Sequence, residues 1–336
     1  PEYLCNLATA VGKNPHQCIH TFNILSPEEI QQQLSFGRGE KVSLPDRPVY
    51  KNIEAFAVET PQAIAASCGQ EQLTYGELNH QANQLAHFLL QFPVEIGDKV
   101  VAFLERSTDI VKAIFAIHKV GAVYVPIDPA FPKERIRAIL TEVNPKLILT
   151  NSDAEAVLEN IDIPRLNLKN SEEILDSFPS TNPEINVDID NESHIFFTSG
   201  TTGKPKGVVA TQRNLVQYLS SARYRYQFCR KDKFISASRF TFSINLFKIL
   251  TPLYVGGTVR IIPRDVVLNL PQLCQELQQA TVFHFGPSLL KPLLPYIEEN
   301  FTDFSPFNQL RHVSSGGDMV PPEVLEKLKQ IFVNAE

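Results

Sequence analysis

The sequence predicts an α/β protein with a mostly parallel sheet covered by helices, and three observations carry that prediction. Short apolar runs such as "KVVAFLE" (99–105), "AVYVPID" (122–128) and "KLILT" (146–150) lack the alternation of a half-exposed strand. Amphipathic stretches of helical period separate them, such as "STDIVKAIFAIHKVG" (107–121), closing on Gly121, and "PKERIRAILTEV" (132–143). The rhythm then resumes in the second half of the chain. Short buried strands joined through helices are the pattern of parallel pairing.

Taken in order, the first segment differs from the rest. "LSPEEIQQQLSFGRGEKVSLPDRPVY" predicts a short helix after Ser26, with Pro27 at its first position, and then runs through glycine, proline and charge as a linker ending near residue 48. From about Asn52 the alternation of strands and helices begins. In "LTYGELNHQANQLAHFLLQF" (73–92), Thr74 and Glu77 have capping-box spacing, and Leu78, Ala82, Leu85, Ala86 and Leu89 line one helical face. Residues 151–192, rich in Asn, Asp, Glu, Ser and Pro, read as a surface crossover. Beyond them "KFISAS" (from 233), "VRIIP" (259), "TVFHFG" (281) and "LRHVSSGG" (310) are strand candidates, with helices near 243–254, 270–279, 287–299 and 322–332.

Composition narrows the function. The 336 residues are 43% hydrophobic with a net charge of −6, and the basic residues are scattered, which argues against nucleic-acid binding. No apolar run approaches a membrane span. Five cysteines, odd in number and without metal-ligand spacing, read as reduced thiols of a cytoplasmic protein, and no metal site is expected. His118, His284 and His312 show no ligand spacing and read as structural histidines.

The most informative stretch is "HIFFTSGTTGKPKGVVATQ" (194–212). Its flanking apolar runs place a loop between two strands, with Thr211 capping the helix that follows. A Walker A loop would run straight into its helix and carry Ser or Thr after Gly-Lys; here the order is Gly200, Thr201, Thr202, Gly203, Lys204, Pro205, Lys206, Gly207. Glycines let backbone amides approach an anion, the hydroxyls of Thr198, Ser199, Thr201 and Thr202 can donate to phosphate, and Lys206 can neutralise charge. A solvated Gly/Thr/Lys hairpin is the alternative. Asp128 caps or turns the chain before Pro129.

"FTSGTTGKPKG" resembles the phosphate-loop signature of the adenylate-forming enzymes: nonribosomal peptide synthetase adenylation domains, acyl-CoA synthetases and luciferases. "LTYGELNHQANQLAHFL" and "KVGAVYVPIDPAFPKERI" are similar to the first two core motifs of the adenylation domains, and "ILSPEEIQQQL" resembles the linker that follows a condensation domain. The likeness runs from about residue 25 to the end of the sequence. It implies stacked, mostly parallel sheets flanked by helices, with 1–48 as the condensation-to-adenylation linker and 49–336 as an incomplete core of the large N-terminal domain. It implies activation of a carboxylic acid by ATP and Mg²⁺ as an acyl adenylate, then transfer to the phosphopantetheine thiol of a carrier protein, with neighbouring synthetase domains as partners.

Residue by residue, the resemblance assigns Thr198, Ser199, Gly200, Thr201, Thr202, Gly203, Lys204 and Gly207 to ATP phosphates, and Lys206 to catalysis. It sets Gly316, Gly317 and Asp318 near the adenine and acyl pocket, where an ordinary strand-to-helix turn is the alternative. "RFTFSINLFKILTPLYVGG" (239–257) is similar to the motif whose Phe-Asp pair opens the acyl pocket, the Asp binding the substrate's α-ammonium. Here Phe240 is followed by Thr241, and the resemblance adds Phe242, Asn245, His284, Val313 and Ser315 to a pocket without a formal countercharge. The implied substrate is a keto, hydroxy or aryl acid. Gln212 stands where many relatives have His. The sequence ends before the family's next motif, so the resemblance places the adenine-stacking aromatic, the ribose-binding Asp and the C-terminal domain outside these residues, and implies little activity from this stretch alone. An inactive platform domain and an acyl-CoA synthetase are the alternatives.

Overall fold

The computed structural model describes residues 2–39, 42–152, 157–159, 161–199 and 205–336. The chain divides into two compact units, Pro1–Ser43 and Leu44–Glu336. In the first, α1 (Glu2–Lys13) precedes α2 (Pro27–Phe36). The Ser26 hydroxyl accepts the Glu29 N–H at 3.2 Å, and Glu29 accepts the Ser26 N–H at 2.9 Å, a reciprocal cap that starts α2 where the sequence predicts. α1 is not among the helices predicted from the sequence; it buries no residue.

The second unit opens with α3 (Tyr50–Glu59), β1 (Ile64–Cys68), β2 (Glu71–Thr74) and α4 (Tyr75–Leu90). There follow β3 (Lys99–Phe103), α5 (Asp109–Lys119), β4 (Val123–Ile127), α6 (Lys133–Val143), β5 (Leu147–Thr150), β6 (Arg165–Asn167) and α7 (Glu172–Asp176). The C-terminal half holds β7 (Glu192–Ser199), β8 (Pro205–Thr211), α8 (Gln212–Tyr226), β9 (Lys233–Ser236), α9 (Ser243–Val255), β10 (Thr258–Ile261), α10 (Arg264–Leu268) and α11 (Leu270–Leu277). It closes with β11 (Val282–Phe285), α12 (Pro287–Asn300), β12 (His312–Ser315) and α13 (Pro322–Ile331).

These strands form two six-stranded sheets, ordered β12-β11-β9-β10-β1-β2 and β6-β5-β3-β4-β7-β8. Each is parallel except at one edge, where β2 and β8 run antiparallel to β1 and β7. Strand alternation decides what lies on each face. Val100, Ala102, Leu147, Leu149 and Tyr124 turn toward a core shared with α3, α4, α5, α8 and α9 and with Phe234, Val259, Ile261 and Val282 of the other sheet. Val101, Phe103, Val123, Val125 and Ile148 turn the opposite way, onto α6. Ile235, Phe283 and Phe285 pack on α11, α12 and α13. The result is five layers, helix and sheet in alternation, with the central helices between the two sheets.

The predicted cap of α4 is present: the Thr74 hydroxyl accepts the Glu77 N–H and Glu77 accepts the Thr74 N–H at 2.8 Å, while Leu78, Ala82, Leu85, Ala86 and Leu89 are buried. The crossover over 151–192 contains more order than its composition suggests, since β6 adds a parallel strand beyond β5. Gly121 adopts a positive φ of 73°, which ends the chain's run out of α5 and returns it to β4.

Both sheets present carboxyl-terminal strand ends to one crevice, and Arg106 ties them there. Lying just past β3, it donates to Ile262 O and Ala237 O, each at 2.8 Å, on the loops that leave β10 and β9. Open parallel sheets bind ligands at such ends.

Candidate functional site

The glycine-rich loop is the connection of an antiparallel hairpin. Thr198 pairs with Lys206 and Ser199 with Pro205 across β7 and β8, so the strand-to-strand placement read from the sequence holds. Gly200, Thr201, Thr202, Gly203 and Lys204 lie outside the described residues. On the described arms, Thr198 donates to Lys206 O at 3.4 Å, and the Lys206 side chain is exposed. Gly207 has a packing reason of its own. A Cβ there would stand 3.0 Å from Ile195 Cγ2 and 3.1 Å from Phe197 Cζ, because the Phe197 ring lies against the opposite strand. Thr211 then caps α8, its hydroxyl accepting the Asn214 N–H at 3.3 Å. Gln212, the next residue, is fully buried, and neither end of its amide has a partner among the described residues.

The predicted acyl residues fall on the loop from β9 to α9, on the first turn of α9, and on β11 and β12. Phe240 is buried in the central core, Thr241 is half-buried, and Phe242 is exposed at the N-terminus of α9. Asn245 is buried on the first turn of α9 and accepts from the Ser236 hydroxyl at 2.5 Å, which fixes the helix to the end of β9. His284 on β11 bonds through Nδ1 to Ser314 Oγ at 2.9 Å. Burial first, then Lys248 and His312, pushes its imidazole down to about 4, so it is neutral near pH 7. The register sets Val313 opposite Phe283 and Ser315 opposite Phe285, so alternation places Val313 and Ser315 on the other face of the sheet from His284 and Ser314. Val313 packs accordingly among the outer helices, and the Ser315 hydroxyl is buried without a partner among the described residues.

A family described as AMP-binding enzyme matches residues 53–336. The chain belongs to that family. It is 31% identical over 335 residues to tyrocidine synthase 3 of Brevibacillus parabrevis, covering 98% of this chain and 5% of that protein. It is 29% identical over 340 residues to a dimodular nonribosomal peptide synthase of Bacillus subtilis (strain 168), covering 98% of this chain and 14% of that one. Among solved structures, the nonribosomal peptide synthetase FmoA3 (S1046A) shares the fold with a TM-score of 0.85 at 21% identity, over 99% of this chain and 36% of that chain. The chain thus spans a small part of the relatives it matches.

In this AMP-binding family member a buried cation that the sequence does not point to lies near these residues. Lys248, one turn beyond Asn245 on α9, is buried and donates to Ser238 Oγ at 2.6 Å. It borders a cavity of about 80 Å³ with Ile235, Phe247, His284, His312 and Ser314. Burial first, and then Arg106, pushes its ammonium down to about 7. In the sequence this lysine sits inside the apolar run "LFKILTPLYV", where nothing distinguishes it from a side chain reaching solvent. Arg106 likewise carries no local signal in the sequence; it lines a crevice of about 580 Å³ with Glu105, Asp128, Arg239, Phe240 and Arg264.

The remaining residues have local explanations. Asp128 accepts the Ala130 N–H at 2.9 Å, the turn predicted for it. In the stretch 316–318, Gly317 takes a positive φ of 88° and Asp318 accepts the Met319 N–H at 2.8 Å, a turn leading to α13. Gly316 lies beside His284: a Cβ there would meet its Cε1 at 3.4 Å. His118 is buried with Nε2 3.1 Å from Ser193 O, a structural contact. Among the described residues no helix is long and apolar enough to cross a membrane.

Proposed function

We propose that the protein activates a carboxylic acid with ATP as an acyl adenylate, for transfer to the phosphopantetheine thiol of a carrier protein, and that the acid lacks an α-ammonium group. The carboxylate oxygen forms a bond to the α-phosphorus, the bond to the β-phosphate oxygen breaks, and pyrophosphate leaves. The thiolate then bonds to the acyl carbon and AMP departs. Such chemistry depends chiefly on positioning and charge stabilisation.

The observation that carries this reading is the hairpin. Its arms hold Thr198 opposite Lys206 at the base of the hydroxyl- and glycine-rich loop, within a fold matched by the AMP-binding enzyme family. On this reading residues 198–207 hold the phosphates, with Lys206 supplying positive charge. Gly316, Gly317 and Asp318 lie toward the adenine and acyl groups. FmoA3, which shares the fold, has been solved in an AMPPNP-bound form. Mg²⁺ would arrive with the nucleotide and offset phosphate charge. The described residues do not themselves make a metal cage, since no cluster of three His, Cys, Asp or Glu is found among them.

The substrate class follows from Thr241. An α-ammonium removed from water needs a carboxylate, which threonine cannot provide, and leaving it unpaired costs several kcal/mol. Phe240, Phe242, Asn245 and His284 complete the proposed surroundings, with Asn245 and His284 their polar members, whereas Val313 and Ser315 turn to the other face of the sheet.

The same threonine favours a second reading, a platform domain that has lost its chemistry and serves neighbouring synthetase domains. Calorimetry with ATP and pyrophosphate exchange across a broad acid panel, both on the full-length protein, separate the two. ATP binding with exchange for at least one acid is expected; neither, from a folded protein, would establish the platform. Transfer of the acyl group to free coenzyme A in preference to a carrier protein would instead indicate an acyl-CoA synthetase.

A further inference from the structure

Lys119 and Lys248 are both buried, each about 1% exposed in its side chain or as a whole residue, and the protein satisfies them very differently. The Lys119 ammonium donates to Glu54 Oε1 at 2.7 Å, Asn79 Oδ1 at 2.9 Å and Asn182 Oδ1 at 3.1 Å, so all three of its donors are used. Among the described residues Lys248 donates to Ser238 Oγ alone, and no carboxylate pairs with it. A lysine retained in such a place is not explained by packing, because an apolar side chain would fill the position without the cost of burying a cation.

Its surroundings point to what would complete it. Asn245 and Lys248 are three apart on α9 and therefore share a face. The first is bonded to Ser236 and the second to Ser238, at the carboxyl end of β9 and just ahead of Thr241. The cavity beside Lys248 is walled by Ile235 and Phe247 and by the His284–Ser314 pair. Arg106 acts on Lys248, and Lys248 and His312 act on His284; the carboxylates Asp232 and Glu336 act on His312, and Asp232 is paired with Arg311. At Lys248 the site therefore offers a guest a hydrogen-bond donor with no carboxylate paired to it.

We infer that Lys248 is the specificity-determining residue of the acyl site, its side-chain nitrogen donating to a keto or hydroxy oxygen on the substrate's acyl chain and excluding an ammonium from the same place. The inference rests on the proposed acid-activating function and goes further: a missing α-ammonium alone would admit a plain or aryl acid, whereas an unmatched donor asks for an oxygen. A hydrogen bond to a buried acceptor from a buried donor otherwise left unmatched is worth about tenfold or more in discrimination.

The test compares three acids sharing one side chain, with a keto oxygen, a hydroxyl or no substituent beside the carboxylate. Equilibrium binding and pyrophosphate exchange are measured on the full-length protein and on Lys248→Met. The unmodified protein is expected to favour the keto or the hydroxy acid by about tenfold or more over the unsubstituted one, and the keto-to-hydroxy ratio identifies which oxygen is used. Lys248→Met is expected to remove that preference while binding ATP as before. Should it fail to bind ATP, Lys248→Gln, which keeps a donor of similar reach, is expected to retain part of the preference. Equal use of the unsubstituted acid, or an unchanged preference in Lys248→Met or complete loss of it in Lys248→Gln, overturns the inference. Binding that depends on Lys248 without exchange of any acid would retract acid activation and keep the anchor; exchange that is indifferent to Lys248 would do the reverse.

Discussion

Asp232→Ala is expected to cost about 3 kcal/mol of stability, because it leaves a buried ion-pair network without its centre. Asp232 is almost fully buried just before β9 and accepts from Arg311 Nε at 2.7 Å, from Arg311 Nη2, from Thr281 Oγ1 at 2.9 Å and from the Cys229 N–H at 2.8 Å. Thr281 precedes β11 and Arg311 precedes β12, so one carboxylate pins the starts of three parallel strands whose other ends carry Ser236, His284 and Ser314. Arg311 is partly exposed, which keeps the cost at the low end for a broken buried pair.

The same group gives a pH signature. Burial raises the Asp232 carboxyl, but the hydrogen bonds from Arg311, the Cys229 N–H and Thr281 and the Arg311 charge outweigh it and hold the carboxyl below the ordinary aspartate value. A carboxyl whose folded-state value is depressed adds stability that is complete above its unfolded value and is lost as pH falls through the folded one. The stability difference between the unmodified protein and Asp232→Asn, measured by urea unfolding, should be constant near neutrality and shrink below about pH 4. A difference that persists unchanged to lower pH would assign the contribution to packing.

Lys206→Ala, in the full-length protein, is expected to lower pyrophosphate exchange by about a hundredfold while leaving the unfolding midpoint where it was. Its side chain is exposed on β8, so folding does not depend on its burial, whereas its pairing with Thr198 holds it at the rim of the loop where outgoing phosphate charge would be met. Unchanged exchange kinetics would return the loop to an ordinary solvated turn. Gly207→Ala is no substitute for this test, since its Cβ would crowd the Ile195 and Phe197 side chains at 3.0 and 3.1 Å and so mix a packing effect into the result.

How much of this was legible in the sequence depended on whether a segment's local chemistry agreed with its tertiary role. The capped helices α2, α4 and α8, and strands such as "KVVAF" and "LILT", announce themselves because side-chain caps and unbroken apolar runs are local signals. The β1–β2 hairpin, "IAASC" and "EQLT", was not read: its Ala, Ser, Glu and Gln carry little strand preference, and the pairing of β1 with β10 is what holds it in the sheet. β6 is likewise a three-residue strand recruited by β5. At the candidate site, that position 241 carries threonine and no carboxylate is legible in the sequence because it is a matter of residue type. Lys248 and Arg106 are not legible there, because their importance lies in burial and in the atoms they reach, the Ser238 hydroxyl for one and the Ile262 and Ala237 carbonyls for the other. Val313 and Ser315 show the complementary case: the resemblance groups them with His284, and strand alternation turns them to the other face of the sheet.

The central claim is that this acyl site is built for an acid without an α-ammonium, and relative activation of matched substrates tests it most directly. Pyrophosphate exchange would be measured on the full-length protein with an amino, a hydroxy and a keto acid of one side chain. The predicted result is that the keto or hydroxy acid exceeds the amino acid by at least about tenfold, or about 1.4 kcal/mol, and that Thr241→Asp raises amino-acid activation and narrows the gap. Preference for the amino acid by tenfold or more in the unmodified protein would contradict it.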